Sequence, residues 1–448
     1  MNIQRVLGIF LLFLSHALSL QAQSGLLQSG PMLGYSDMRE VALWVQTKAA
    51  AKVKFAYWEK GKKDSKKFTE ELLTQKQNAF TATLPAELLE PGLQYEYELY
   101  INNKVEKLPY PLEFRTQPVW RWRGEAPDFK FAIGSCVYVN DTPYDRPGKP
   151  YGSNFEIFDA IYAQKPDFML WLGDNTYLRE PDWNTRSGIF YRYTHSRSLP
   201  ILQKLLAATH HYAIWDDHDF GPNDSDGSFV LKNVAEEAFK SFWANPNYGV
   251  ATEGKGITGS FEWADVQFFL LDDRYFRTAN RNPSGERAMI GQAQLDWLIN
   301  ALAASTATFK IVAIGGQAMS PVAEKENWAT YPEEQKAVIE GIKKAQIEGV
   351  VFLSGDRHFT ELTKRVEAGL YPLYDFTSSP LTSGAGSPSK SENNTFRVPN
   401  TLLTNQHNFG IIEVKGTQKE RKLILRTLDK DGKEVWKHEI QRSELRFP

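Results

Sequence analysis

Six short apolar runs in this 448-residue chain each end in side chains that can bind a metal or move a proton. Phe131-Ala132-Ile133 leads to Gly134-Ser135-Cys136, the run 168–172 to Gly173-Asp174-Asn175-Thr176-Tyr177, and the run 212–215 to Asp216-Asp217-His218-Asp219. Farther on, 268–271 leads to Asp272-Asp273-Arg274, 311–314 to Gly315-Gly316-Gln317, and 350–353 to Ser354-Gly355-Asp356-Arg357-His358. Asp and His are costly to bury unless paired or metal-bound, so six such ends exceed what stability asks for. Carboxylates facing one point repel each other and resist ionisation unless cations neutralise them. The pattern therefore implies bound metal, two ions, with a carboxylate such as Asp174 bridging them at the ~3.5–4 Å used to hydrolyse phosphate esters.

These side chains need a scaffold that brings strand ends together. Helical patterns at 155–163, 188–209, 234–243, 293–303 and 333–347 alternate with the apolar runs, the grammar of an α/β fold. In open α/β sheets, ligands bind off the carboxyl ends of the strands, where these residues lie. Further strands are expected at 408–414, 423–427 and 435–440, giving a mixed architecture of two packed sheets flanked by helices. The stretch 382–393, rich in Gly and Ser, reads as a loop overhanging the site. No internal repeat is present.

Upstream, residues 25–117 alternate with period two between Lys-, Gly- and Pro-rich turns, the signature of a small all-β sandwich. Trp120-Arg121-Trp122-Arg123 forms a connector, and the catalytic domain is expected over 125–448. Residues 1–22 carry Arg5, an apolar run at 6–14 and Ala22 ahead of polar sequence, which reads as a signal peptide of a secreted or periplasmic protein. That run is shorter than the ~20 apolar residues of a membrane span, and no later segment qualifies. The balance of 52 basic against 54 acidic residues lacks the positive excess of a nucleic-acid-binding protein. The single cysteine, Cys136, has no disulfide partner in the chain, so its reading is either apolar packing or metal ligation.

The order and spacing of Gly134-Ser135-Cys136, Leu172 to Tyr177, Trp215 to Asp219 and Ser354 to His358 resemble the PhoD-type alkaline phosphatase/phosphodiesterase family of metallophosphoesterases. The resemblance covers nearly the whole mature chain, with 25–117 similar to the immunoglobulin- or fibronectin-like domain that this family shares with purple acid phosphatases. It implies a four-layer αββα metallophosphoesterase sandwich and a centre of iron (Fe3+) with calcium (Ca2+). On that resemblance Cys136 is the thiolate ligand, Asp174 the bridging carboxylate, Tyr177 a phenolate ligand, Asp217 a ligand of the second ion, and Asp356 and His358 one ligand for each ion. His218 is the general acid, with Asp219 in place of the family's Glu as its catalytic companion. Asn175 stands where the family has Tyr, and with Arg274 is a substrate-binding candidate. Phenolate and carboxylate are hard donors that suit ferric iron, and an oxygen-dominated set suits calcium.

The implied reaction is hydrolysis of a small-molecule phosphate ester by a monomeric enzyme, with a metal-bound hydroxide attacking phosphorus in line and His218 protonating the leaving oxygen. A phosphodiesterase or phospholipase D-like activity is the alternative within enzymes, and a secreted non-enzymatic binding protein the alternative outside them. Arg274 reads equally as a partner of Asp272 or Asp273, and His218 also as a histidine capping its strand. Asn223 and Asp224 are expected near the site, whereas His195, Arg197, His210 and His211 are placed on or at the end of a helix in packing roles. Neither Ser135 nor Ser354 lies in a nucleophile elbow, so serine hydrolysis is not expected.

Overall fold

A computed structural model describes residues 25–282 and 287–447; the expected signal peptide lies outside them. Among the described residues no helix is long and apolar enough to cross a membrane.

The N-terminal strands are β1 (Leu27–Ser36), β2 (Val41–Thr47), β3 (Lys52–Glu59), β4 (Thr81–Ala86) and β5 (Gln94–Ile101). Beyond the connector, β6 (Phe129–Gly134), α1 (Ile157–Gln164), β7 (Phe168–Leu172), α2 (Arg186–Arg197), α3 (Gln203–Ala208), β8 (His210–Ile214), α4 (Asp217–Phe220) and α5 (Lys232–Phe242) build one half of the catalytic block. The other half holds β9 (Gly259–Trp263), β10 (Val266–Leu270), α6 (Gln292–Ala304), β11 (Phe309–Ala313), α7 (Pro332–Lys344), β12 (Val350–Ser354), β13 (Glu361–Arg365) and β14 (Leu373–Thr377). The chain then returns to the first half with β15 (Asn408–Lys415), β16 (Lys422–Asp429) and β17 (Glu434–Gln441).

Two mixed sheets result, one of nine strands in the order β17-β16-β15-β6-β7-β8-β1-β2-β4 and one of six in the order β9-β10-β11-β12-β14-β13. The inner strands β6-β7-β8 and β10-β11-β12-β14 pair in parallel. Strands β7, β8, β11 and β12 are buried along their whole length, which explains the unbroken apolar runs 168–172 in β7 and 350–353 in β12. The sheets face each other through aromatic contacts such as Phe131 and Phe168, each 5.3 Å from Phe268. Outside, Phe158 and Trp243 cover Trp171 on one sheet, and Trp297 on α6 covers Phe269 on the other, completing an αββα sandwich.

Two expectations change. The helical pattern 188–209 is broken around Ser198–Pro200, because proline cannot donate to the ladder and biases the residue before it away from helix. His210 and His211 consequently lie in β8, buried, rather than on a helix. The N-terminal sandwich is also not separate: β1 pairs in parallel with β8 at Leu33 and His210, so β1, β2 and β4 extend the catalytic sheet. Alternation along β1 and β2 serves both cores. Leu33, Val41, Leu43 and Val45 pack into the sandwich, and Met32, Ala42 and Trp44 into the catalytic block.

Candidate metal centre

The loops following β6, β7 and β8 tie to each other through their backbones, and the loop after β12 ties to the one after β11. Cys136 N–H donates to Gly173 O (3.2 Å), Val137 N–H to Asp174 O (2.7 Å), Leu178 N–H to His218 O (3.2 Å) and Gly355 N–H to Gly315 O (2.7 Å). Gly173, at φ 92°, has no room for a side chain: a Cβ there would stand 2.6 Å from that of Asp216. Cys136, Asp174, Asp356 and His358 all adopt left-handed backbone, at φ 64°, 53°, 63° and 57°. Each such residue costs on the order of 1–3 kcal/mol and persists where its surroundings dictate it, commonly at functional sites. Nothing in the residue types alone discloses this strain.

The side chains so aimed form a tight cluster. Tyr177 Oη donates to Asp174 Oδ2 (2.9 Å) and lies 3.2 Å from His358 Nε2, while Cys136 Sγ is 3.7 Å from the same carboxylate oxygen. The Asp174 Oδ1 atom accepts the His218 N–H at 3.2 Å. His218 packs its ring on Tyr177, centroids 4.2 Å apart, and its Nε2 is 3.9 Å from Asp217 Oδ2. Two sets of ligand-capable atoms fall within 4.8 Å of one another, Cys136–Asp174–His358 and Asp174–Asp217–His218, and Asp174 belongs to both. A third set, Asp216–Asp217–Glu326, already has a cation, since Arg274 pairs with Asp216 and Glu326.

The electrostatics fit a cation-binding centre. Burial pushes the Asp174 carboxyl well above the usual carboxylate range, and the charges of Asp217 and Cys136 push it further. Burial also pushes the Cys136 thiol up to about 11, against hydrogen bonding from Ser135 and Ser379. Asp217 stays ionised: burial opposes its charge, but His218 and Arg274 hold it at about 2. Burial lowers His218, and Asp217 pulls in the opposite direction. A buried thiol, phenol and carboxylates that repel one another are a donor set completed by metal, whose binding replaces the protons they otherwise keep.

Three expected site residues, Asp219, Asn175 and Arg274, stand differently. Asp219 is fully buried, and its carboxylate accepts the N–H groups of Asp216, Asn175 and Thr176, so it holds the turn rather than facing a substrate. Asn175 turns inward, donating from Nδ2 to Ile214 O at 2.8 Å. Arg274 is fully enclosed, its guanidinium bound to Asp216, to Glu326 (2.7 Å) and to Ser225 O (3.2 Å), which leaves no face for a phosphate. Its main partner is Asp216 rather than Asp272 or Asp273. Asp356 lies outside both tight sets, with Arg357 Nη1 3.6 Å from its carboxylate. Asp224 reaches the centre only through its backbone N–H, which donates to Asp217 Oδ2 at 2.7 Å. Ser135 and Ser354 are buried and hydrogen-bonded to Ser378 O and Asp375. Sequence patterns did not single out Ser379, whose Oγ lies 3.2 Å from Cys136 Sγ, or Ser383, 3.4 Å from His358 Nε2; only the latter lies in the loop expected to overhang the site.

Arg274→Met should destabilise the protein by about 3–5 kcal/mol, because Asp216 and Glu326 would remain buried without their counter-charge. Urea unfolding measures this. An unchanged midpoint with weakened substrate binding would instead return Arg274 to a phosphate-clamping role.

Known proteins share this fold. The solved structure described as "Structure of PhoD" superposes with a TM-score of 0.73 over 93% of this chain and 92% of its own, at 19% identity, a likeness of fold. Alkaline phosphatase D of Bacillus subtilis (strain 168) is 26% identical over 324 residues, 62% of this chain; the chain spans about half, 53%, of that relative's length. Residues 24–119 match a domain of unknown function (DUF7800). Residues 131–424, from the first apolar strand to the penultimate one, match the PhoD-like phosphatase model, and since this takes in well over half of the sequence, the chain belongs to the PhoD-like phosphatase family.

Proposed function

We propose that this protein is an exported, metal-dependent hydrolase of small-molecule phosphate esters that works as a monomer. The observation that carries the reading is Asp174, one carboxylate common to two convergent ligand sets. Cys136, Asp174, Tyr177 and His358 would hold iron, and Asp174, Asp217 and Asp356 would hold calcium. The bound cations supply Lewis acidity toward the phosphoryl oxygens and an activated water. The chain's own part is to hold the ligands in strained, preset geometry, to bury the thiol and phenol away from solvent, and to offer His218 as the proton donor to the leaving oxygen. Export rests on the sequence of residues 1–22.

One observation favours diesters over monoesters as substrates. Arg179, Arg274 and Arg357, three arginines beside the centre, are each committed to carboxylates: Asp145, Asp216 and Glu392. A phosphate dianion gains from an additional protein cation; a diester monoanion needs it less.

Purified protein assayed on nitrophenyl phosphate and bis(nitrophenyl) phosphate should lose both activities on chelation and regain them with iron and calcium. As isolated it should contain iron and show a visible thiolate or phenolate charge-transfer band, which Cys136→Ser abolishes or shifts. Activity indifferent to exhaustive chelation would overturn the metal dependence, and stoichiometric zinc without colour would overturn the choice of iron.

A further inference from the structure

Tyr151 lies in the segment after β6 and is half-exposed, yet it is braced on several sides. Its ring meets Tyr138 edge to face at 4.8 Å and lies over Gly384, where a Cβ would come within 2.8 Å of the ring. The neighbouring backbone is clamped by paired bonds between Asn140 and Gly152, at 2.9 and 3.0 Å, and by Ser153 N–H donating to Thr382 O at 2.7 Å. Its phenol oxygen sits 3.1 Å from His358 Nδ1.

His358 has little other freedom. Its N–H donates to Ser379 Oγ at 2.9 Å and its carbonyl accepts the Gly386 N–H at 2.8 Å, which fixes the backbone. Rotation of the ring about Cβ–Cγ remains, and a half turn would put a carbon where Nε2 stands in the Cys136–Asp174–His358 set. Among the described residues the Tyr151 hydroxyl stands at hydrogen-bond distance from Nδ1, and the Gly384 backbone also hydrogen-bonds the ring. Ligating histidines commonly spend their second nitrogen on such an outer partner, which selects tautomer and ring orientation.

We propose that Tyr151 is a positioning residue of the metal centre: its hydroxyl accepts the Nδ1 proton of His358 and so presents Nε2, with its lone pair, to the ion. This rests on the metal-centre reading above. It names a residue that ligates nothing and a loop, 382–393, that shapes the centre by seating Tyr151 on Gly384.

Cobalt(II) titration of the metal-free protein tests it, because a thiolate–cobalt band reports binding at Cys136 independently of catalysis. Tyr151→Phe keeps the ring and removes the hydroxyl; it should bind cobalt ~10–100-fold more weakly with the same band. Gly384→Ala, which displaces the ring, should weaken binding in the same direction. Tyr144→Phe, an exposed tyrosine whose ring contacts Tyr191, should match wild type. Binding by Tyr151→Phe within ~2-fold of wild type would overturn the proposal. So would an equal loss accompanied by a lowered melting temperature of the metal-free variant, which would mark Tyr151 as a fold contact only. If wild type itself binds cobalt without a thiolate band, the Cys136 reading fails and takes this proposal with it.

Discussion

Asp174→Asn should empty both ion positions and reduce hydrolysis by more than ~100-fold, beyond the range expected from losing an outer-shell partner alone. The substitution is nearly isosteric. An asparagine can keep the bond from the His218 N–H on its Oδ1 and donate from Nδ2 to Tyr177 Oη, so the loops after β7 and β8 should stay in register. What disappears is the negative charge shared by the two ligand sets. Metal analysis should show both ions lost, whereas Asp217→Asn, touching only one set, should preferentially lose the second. Full metal content and activity in Asp174→Asn would remove the bridging role. The metal-free variant should also be more stable than metal-free wild type. A carboxyl whose folded pKa is raised destabilises the fold once pH climbs above its unfolded value, so the advantage should be absent in acid and grow with rising pH.

The scaffold is legible in the sequence where period and burial coincide. Residues 168–172 and 350–353 are unbroken apolar runs because β7 and β12 are buried on both faces, and their polar ends mark where the chain leaves the sheet. Cys136, Asp174, Tyr177 and Asp217 converge for the same reason, each following the carboxyl end of a neighbouring parallel strand. Register across long range is not legible. Leu33 meeting His210 fuses the N-terminal sandwich to the catalytic sheet, and period-two alternation in β1 fits a separate sandwich equally well. Nor does residue type tell which way a charge faces. Arg274 and Asp219 sit in the right motifs but turn inward, one to neutralise Asp216 and Glu326, the other to cap backbone N–H groups. Tyr151 belongs to no motif; it reaches His358 from more than two hundred residues away in sequence.

Substitution of His218 should separate chemistry from ligation. The ring is partly open to the centre through Nε2, near Asp217, while Nδ1 is buried without a hydrogen-bond partner. A general acid must carry a proton to the leaving oxygen. Burial lowers the imidazole's affinity for that proton, and Asp217 works to restore it. If His218 is the acid, His218→Ala should leave metal content unchanged and slow esters with poor leaving groups ~10²–10⁴-fold. Nitrophenyl esters, whose leaving group departs without protonation, should suffer much less. The acid-dependent rate should fall as pH rises through the His218 pKa, since only the protonated ring donates. The Asp174–Asp217–His218 set supports the competing role of second-ion ligand. In that case the alanine variant should lose one ion, slow both substrate types equally and recover in part with excess calcium. A folded, fully metal-loaded variant with equal losses on both substrates would exclude both roles, leaving the ring to act by packing on Tyr177, where His218→Phe should then restore the rate.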